Sequence, residues 1–534
     1  MCDFLAFCAR SEPSGLEFAR GGIYSSPVQI RREKVPWGAL LIVLLAVVAR
    51  VWALDIKPPH FDEGVNGWFA DRLTDSGYYH YDPTNYHGPL HMYAVFISQT
   101  LFGRNLWALR LPSVLASLGS ILAILSLAPW LGRFPVRFAA LAMAVSPAFV
   151  FYGRTSIHES WMVLFLVITL RGIFGLWSRG EKSDLWWLMA GITGQILTKE
   201  TYILHLTAFA LAFPTLRLWE KAVASAPHVP WAPQQWTRQN LGKAGAACGL
   251  ALIAFYSGFF MDIRALSGLW ETFRPWLQTG LHPGGHEKSS HEFFGVNFYW
   301  LALMARFEWP ALAGVLGCFL ALAAVDARVR YTAIFGAGAL VAYSIIPYKT
   351  PWCLLVLLWP FYLVAGWFLD RMRRPWNWVL AAALILPTLA MSVNLNFRRF
   401  TDDTHPYVYV QTCEEVRRLT VPLLEKARRD PRFYHAAGKI FLSSYYPLPW
   451  VLGDFTSIGY YGEDDIPREM DSAFIVCPVE QAPRAQAALR GRYYRRDFRL
   501  RSGLGDCVAF FRETDFQEFF PGEPVVEGGS PSQP

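Results

Sequence analysis

Apolar residues in this chain come in blocks of roughly 15 to 20, the length an α-helix needs to cross a hydrocarbon core about 30 Å thick. A segment surrounded by lipid has no water to satisfy its backbone N–H and C=O groups, so such blocks must be helices. Composition agrees, with 53% of the 534 residues hydrophobic and only 17% charged, a balance suited to lipid and not to a water-solvated core. The blocks fall near 36–54, 110–128, 135–152, 160–177, 185–198, 201–218, 244–262, 309–325, 331–346, 352–369 and 376–393, which predicts about eleven transmembrane helices. Two weaker apolar stretches, 89–103 and 293–307, carry Pro89, His91, Asn297 and Arg306 and are read as helices lying on the membrane surface.

Basic residues set the orientation. Arg31, Arg32 and Lys34 precede the first block, so residues 1–35 are expected to be a cytoplasmic segment and 36–54 a retained span, not a cleaved leader. Arg133, Arg137, Arg179, Lys182, Arg328, Arg330 and Arg371 then fall in inner connections. The net charge of +7 is distributed over these loops instead of forming one tract, which argues against a nucleic-acid partner. The eight cysteines include no CxxC pair, so neither a zinc module nor a disulfide framework is indicated.

An odd number of spans leaves the chain from about 398 outside the plasma membrane. There PYVYVQT (406–412), KIFLSSY (439–445) and SAFIVCPV (472–479) read as strands around a helical stretch at 413–430, predicting a small extracytoplasmic α/β domain over 398–519. The remainder, 520–534, has the composition of a disordered tail.

The densest chemistry lies in the outer loop 55–109, where His60, Asp62, Glu63 and His87 are found. Asp62 and Glu63 are adjacent and project about 100° apart on a helix, so they cannot face one atom together. An acidic pair at this place also suits a helix cap. Other outer turns add Arg154, His158 and Glu159, then Lys199 and Glu200, then Tyr348 and Lys349. Ionisable groups at the membrane boundary usually mark a substrate path, although any one of them could be an interfacial anchor. In the outer loop 263–308, His286 and His291 are weak metal candidates whose spacing matches no standard zinc motif. Carboxylates and cations on one face suit transfer from a phosphate-linked donor.

The runs PPHFDEGVNGWFA, YDPTNYHGPLHMYAVFISQTLFG and RLPSVLASLGS resemble the GT-C glycosyltransferases, a superfamily of polytopic helix bundles that includes protein mannosyltransferases, lipid A aminoarabinose transferases and oligosaccharyltransferases. IPYKTPWCLLVLLWPFYLVAGW, LTKET and YPLPWVLGDFTSIGYYG look more closely like a bacterial and archaeal branch known as flippase-activity-associated proteins. The resemblance implies a GT-C-like bundle with a C-terminal domain, a polyprenyl-phosphate-linked sugar as donor, a protein or glycan acceptor, and inversion at the anomeric carbon. It implies that Asp62 is the general base or the group that positions the acceptor hydroxyl, with Glu63 its partner; on the transferase reading Asp62 accepts the proton while Arg154, Lys199 and Lys349 hold the phosphate. Neither an Asp-x-Asp metal motif in the first loop nor a WWD-type signature is present, which leaves a divalent metal and sequon glycosylation undetermined. A lipid-linked-sugar flippase or accessory protein is the alternative; an ion-coupled transporter would need inverted repeats. On the transferase reading Asp62, Glu63, His158, Glu159, Lys199 and Lys349 should converge on one pocket.

Overall fold

The computed structural model describes residues 37–223, 230–281, 298–468 and 470–529. Each of the eleven predicted blocks is largely helical, yet among the described residues length and composition qualify five helices as spans: Leu106–Leu131, Glu159–Ser178, Tyr202–Ala222, Pro351–Asp370 and Trp376–Phe397. The number rises to seven if two bent pairs, Arg133–Val145 with Pro147–Gly153 and Tyr299–Phe307 with Trp309–Ala321, each count as one. Part of 293–307 is thus the first arm of a helix bent by 120°. The two breaks meet at Glu308, whose Oε1 accepts from Ser146 Oγ and the Ala148 amide, both at 2.9 Å, and whose Oε2 accepts from Tyr362 Oη at 2.8 Å. A fixed acceptor there replaces backbone bonds that the bends interrupt.

The helix Leu354–Asp370 runs through the middle of the bundle, with Leu355, Leu358, Trp359 and Tyr362 fully buried. Helices at the periphery instead leave Leu41, Val48, Leu211, Leu218, Val379 and Leu386 exposed. Apolar side chains in that position have lipid, not water, as their natural solvent.

The C-terminal part contains a six-stranded mixed sheet in the order β2-β1-β3-β5-β4-β6, built from Gly438–Phe441 (β1), Ile458–Tyr461 (β2), Phe474–Pro478 (β3), Arg492–Arg499 (β4), Asp506–Arg512 (β5) and Val525–Glu527 (β6). β1 is parallel to β2 and β3, and the remaining pairings are antiparallel. The predicted helix is present as Arg417–Arg429, its Leu419 and Leu423 buried against the sheet domain's core. Two expectations are corrected. Residues 406–412 are not a strand, because their backbone groups bond to the helix bundle: the Tyr407 carbonyl accepts from Tyr152 Oη at 2.9 Å and the Tyr409 carbonyl from His60 Nε2 at 2.7 Å. Within the tail expected to be disordered, Val525 and Val526 pair with Tyr494 and Tyr493 as the edge strand β6, covering a sheet edge that would otherwise be open.

The sheet domain docks on the bundle through the helix Phe61–Ser76. Gly64, Gly67, Ala70 and Leu73 recur along the helix at three-residue spacing and are buried. A Cβ at Gly64 would lie 2.4 Å from Pro447 Cα, and one at Gly67 would lie 2.4 Å from Trp450 Cδ1. Only glycine lets the helix and the Leu448–Val451 turn approach so closely. Arg104 bonds Asp71 at 3.0 and 2.8 Å and also donates to the Trp450 carbonyl, tying the same contact from the side.

Candidate functional site

A cavity of about 600 Å³ opens between the bundle and the sheet domain, and a recess of about 50 Å³ extends from it. Asp62, His87 and Lys199 line both.

Asp62 owes its place to its neighbours. His60 caps the helix Phe61–Ser76: its Nδ1 accepts from the Asp62 amide at 3.0 Å, while Glu63 Oε2 accepts from the His60 amide at 2.8 Å. This reciprocal capping box turns Glu63 away from the cavity. Glu63 receives Arg110 Nε at 2.8 Å and Nη2 at 2.7 Å, and the Ser156 amide at 2.8 Å. Burial opposes its charge, yet Arg110 and these bonds hold its carboxyl down at about 2. Glu63 is therefore a strut, and His60 a cap, outside the cavity lining; the capping role applies to this pair of residues and not to Asp62, which stands half-buried at the cavity wall.

His87 lines the same cavity and recess as Asp62. Gly88 lies flat on the end of the helix Lys182–Thr198, where a Cβ would be 2.3 Å from the Leu197 carbonyl oxygen, so His87 bridges to Lys199 and donates from Nδ1 to Glu200 Oε2 at 3.0 Å. Lys199 Nζ meets Glu159 Oε1 at 2.5 Å. Burial alone would strip Lys199 of its proton, but the Glu159 carboxylate more than offsets this and keeps it charged. His158 lines the recess, its ring 4.5 Å from that of His87 and 4.7 Å from that of His91. Burial and the nearby His87, His91 and Lys199 hold its imidazole neutral, well below the usual histidine range.

Of the six residues expected to converge, Asp62, His158, Glu159 and Lys199 line the recess together; of the other candidates, Glu200 and Tyr348 line the wider cavity. Glu63, Arg154 and Lys349 do not. Arg154 donates to the Ala49 carbonyl at 3.1 Å and to the Ala53 carbonyl, satisfying the end of the helix Trp37–Val51. Lys349 donates to the Tyr343 and Ser344 carbonyls at 2.6 and 3.0 Å and to the Ile346 carbonyl, ending the helix Ala327–Ile345 in the same way. His286 and His291 lie outside the described residues, and among the described residues no cluster of His, Cys, Asp and Glu suits a metal ion.

Sequence reasoning missed Arg501. It follows β4 and lines the cavity near Asp62, with Phe61 under its guanidinium at 4.5 Å. It donates to the Tyr446 carbonyl at 2.9 Å and to Ser444 Oγ. Burial lowers it to about 10, so it stays protonated at neutral pH. Nothing local marks it out among the 49 Lys and Arg residues of the chain; only the docking of the sheet domain brings it to the bundle.

A bundle with broken helices, a short cavity-lining helix after the first apolar segment and a sheet domain closing over it give the chain a fold similar to that of the solved ArnT and oligosaccharyltransferase structures. Residues 86–231 match the family model described as dolichyl-phosphate-mannose-protein mannosyltransferase. The Bacillus subtilis (strain 168) protein named "Putative mannosyltransferase YkcB" is 28% identical over 163 residues, a match spanning 28% of this chain and 22% of that protein's length. Among solved structures, ArnT from Cupriavidus metallidurans in the apo state superimposes with a TM-score of 0.60 at 16% identity, over 88% of this chain and 97% of ArnT. The same protein bound to undecaprenyl phosphate gives 0.59 at 15% identity, over 89% and 98%. The Archaeoglobus fulgidus oligosaccharyltransferase gives 0.51 at 12% identity, over 86% and 72%.

Proposed function

We propose that this protein is an inverting glycosyltransferase that moves a sugar from a polyprenyl-phosphate donor to an acceptor hydroxyl at the outer face of the membrane. The observation that carries the reading is that one cavity is walled by the Asp62 carboxylate from the bundle side and the Arg501 guanidinium from the sheet domain. Inverting transfer needs a base for the acceptor proton and a cation for the departing phosphate, placed apart around the anomeric carbon. The acceptor oxygen bonds to that carbon and yields its proton to Asp62. The carbon–oxygen bond to phosphate breaks, and the lipid phosphate leaves with the electron pair beside Arg501. Lys199 is already matched by Glu159 and serves the sugar end more than the phosphate end.

The cavity size falls in the range of small-ligand sites. Phe61, Val65, Leu204, Trp276, Leu277 and Ile346 supply an apolar wall suited to the first isoprene units of the donor. The ArnT neighbour's undecaprenyl phosphate is a ligand of this chemistry. The acceptor is a protein or glycan hydroxyl.

Purified protein in proteoliposomes, supplied with polyprenyl-phosphate hexoses carrying a labelled sugar and with membrane acceptors, tests the reading. Label released from the lipid and joined to acceptor is expected, with Asp62→Asn slower by about 10² to 10⁴. Label that changes leaflet while remaining on the lipid would overturn it in favour of translocation.

A further inference from the structure

The recess beside Asp62 differs in chemistry from the cavity it opens into. Asp62, His87, His158, Glu159 and Lys199 line it, and the only ammonium among them is compensated by Glu159 at 2.5 Å, with Glu200 held just behind on His87 at 3.0 Å. Asp62 and Glu159 set two carboxylates against the single ammonium of Lys199, and burial holds the His158 imidazole neutral, so the recess offers a phosphate no uncompensated ammonium. Donors and acceptors interspersed on one wall are instead what a neutral polyhydroxyl ligand needs, because each hydroxyl both gives and accepts a hydrogen bond.

Size narrows the ligand further. A volume of about 50 Å³ accommodates one hydroxyl or hydroxymethyl arm, since a water molecule occupies about 30 Å³ of liquid. Two residues lining the recess carry a buried polar atom without a hydrogen-bond partner among the described residues, Asn85 at Nδ2 and His158 at Nε2, and His158 is 3% exposed. Buried polar atoms without a partner are uncommon, and one beside a polar recess points to a ligand that completes it.

Building on the glycosyltransferase reading, we propose that His158 is a specificity-determining residue whose Nε2 hydrogen-bonds a hydroxyl of the transferred sugar held in this recess, while the donor phosphate stays with Arg501 in the wider cavity. The sugar is thereby read on the Asp62 side, at the point where its anomeric carbon must be presented. A donor lacking that hydroxyl leaves both Nε2 and the recess unsatisfied, which is how a polar site rejects a deoxygenated analogue.

The test compares binding of bare polyprenyl phosphate with that of polyprenyl-phosphate mannose, glucose and galactose to the full-length protein in detergent, for wild type, His158→Phe and His158→Gln, each checked for an unchanged melting temperature. One sugar should strengthen wild-type binding over the bare lipid phosphate by about tenfold, the worth of one good hydrogen bond in a buried site. His158→Phe should erase most of that gain and His158→Gln should keep part of it, with affinity for the bare lipid phosphate unchanged in both. Equal losses for bare and sugar-bearing lipids would mean that His158 serves the phosphate and would overturn the proposal. So would a gain that survives His158→Phe, or a wild type that gains nothing from any sugar. Failure of the wild type to bind even bare polyprenyl phosphate would count instead against the glycosyltransferase reading itself. If neither variant folds, the same donors lacking single hydroxyls, offered to the wild type, decide the matter: no deoxy donor losing the gain would overturn the assignment.

Discussion

Glu63 and Arg110 face each other at 2.7 Å with neither side chain exposed to solvent. This pair, one residue beyond Asp62, fixes the start of the helix that carries the proposed base. Breaking a buried ion pair by removing one partner leaves an uncompensated charge and costs about 3–5 kcal/mol. Glu63→Ala and Asp62→Asn should therefore separate cleanly. The first lowers the melting temperature in detergent, and the second leaves it unchanged while cutting turnover about 10²- to 10⁴-fold. Thermal unfolding and transfer rates measured on the same preparations check both.

The pair also sets an acid limit. Glu63 ionises near 2 in the fold against an ordinary 4.5, so the unfolded chain binds the extra proton first and stability falls with pH in that window. The contribution is complete above about 4.5 and lost as pH drops through about 2. Melting temperature followed from pH 6 downward should fall less steeply in Glu63→Gln than in the wild type.

Arg501 gives the clearest test of the sheet domain's part in the site. Arg501→Gln should weaken binding of polyprenyl phosphate by about 10- to 100-fold, the worth of a charged hydrogen bond. Lys349→Met should lose stability and leave that affinity intact, because Lys349 bonds to helix-end carbonyls. Titration of both variants with the lipid phosphate reads the difference.

Close packing at Gly64 and Gly67 predicts that the cavity can be opened without touching its lining. Gly67→Val would drive a side chain into Trp450, at a cost of about 1–3 kcal/mol for overpacking. Faster hydrogen exchange over residues 445–451 should accompany the loss of activity.

The side of the membrane is tested by accessibility. In a background with native cysteines replaced, a probe at Ser183 should be reached only from the cytoplasm, and probes at Ser76 and Arg490 only from outside. Reversal at any of them breaks the proposed orientation.

How much was legible in the sequence depends on the range of the interaction. Helical blocks, the helix Arg417–Arg429 and the strands at 438–441 and 474–478 follow from periodicity and composition, which are local. The strand expected at 406–412 failed because its carbonyls found partners more than 200 residues away, Tyr152 and His60. β6 was missed because a three-residue edge strand has no pattern of its own and forms only where β4 offers an open edge. Eleven blocks could be read as helices, but chain-local hydropathy does not decide which of them bend at Ser146 or Glu308 and which cross in one piece.

The same division holds at the site. Sequence alone determined that this is a helical membrane chain and that Asp62, His158, Glu159 and Lys199 belong to turns at helix ends, because hydropathy marks the ends of apolar blocks directly. Which of the charged residues share a cavity was decided by tertiary structure. A cation near a helix end can cap the backbone, as Arg154 and Lys349 do, or meet a carboxylate, as Lys199 does, and the choice rests on groups that folding brings within about 3 Å. Glu63 became a strut and Asp62 a cavity wall because successive residues on a helix point about 100° apart, and only the position of Arg110 determined which of the two faced inward.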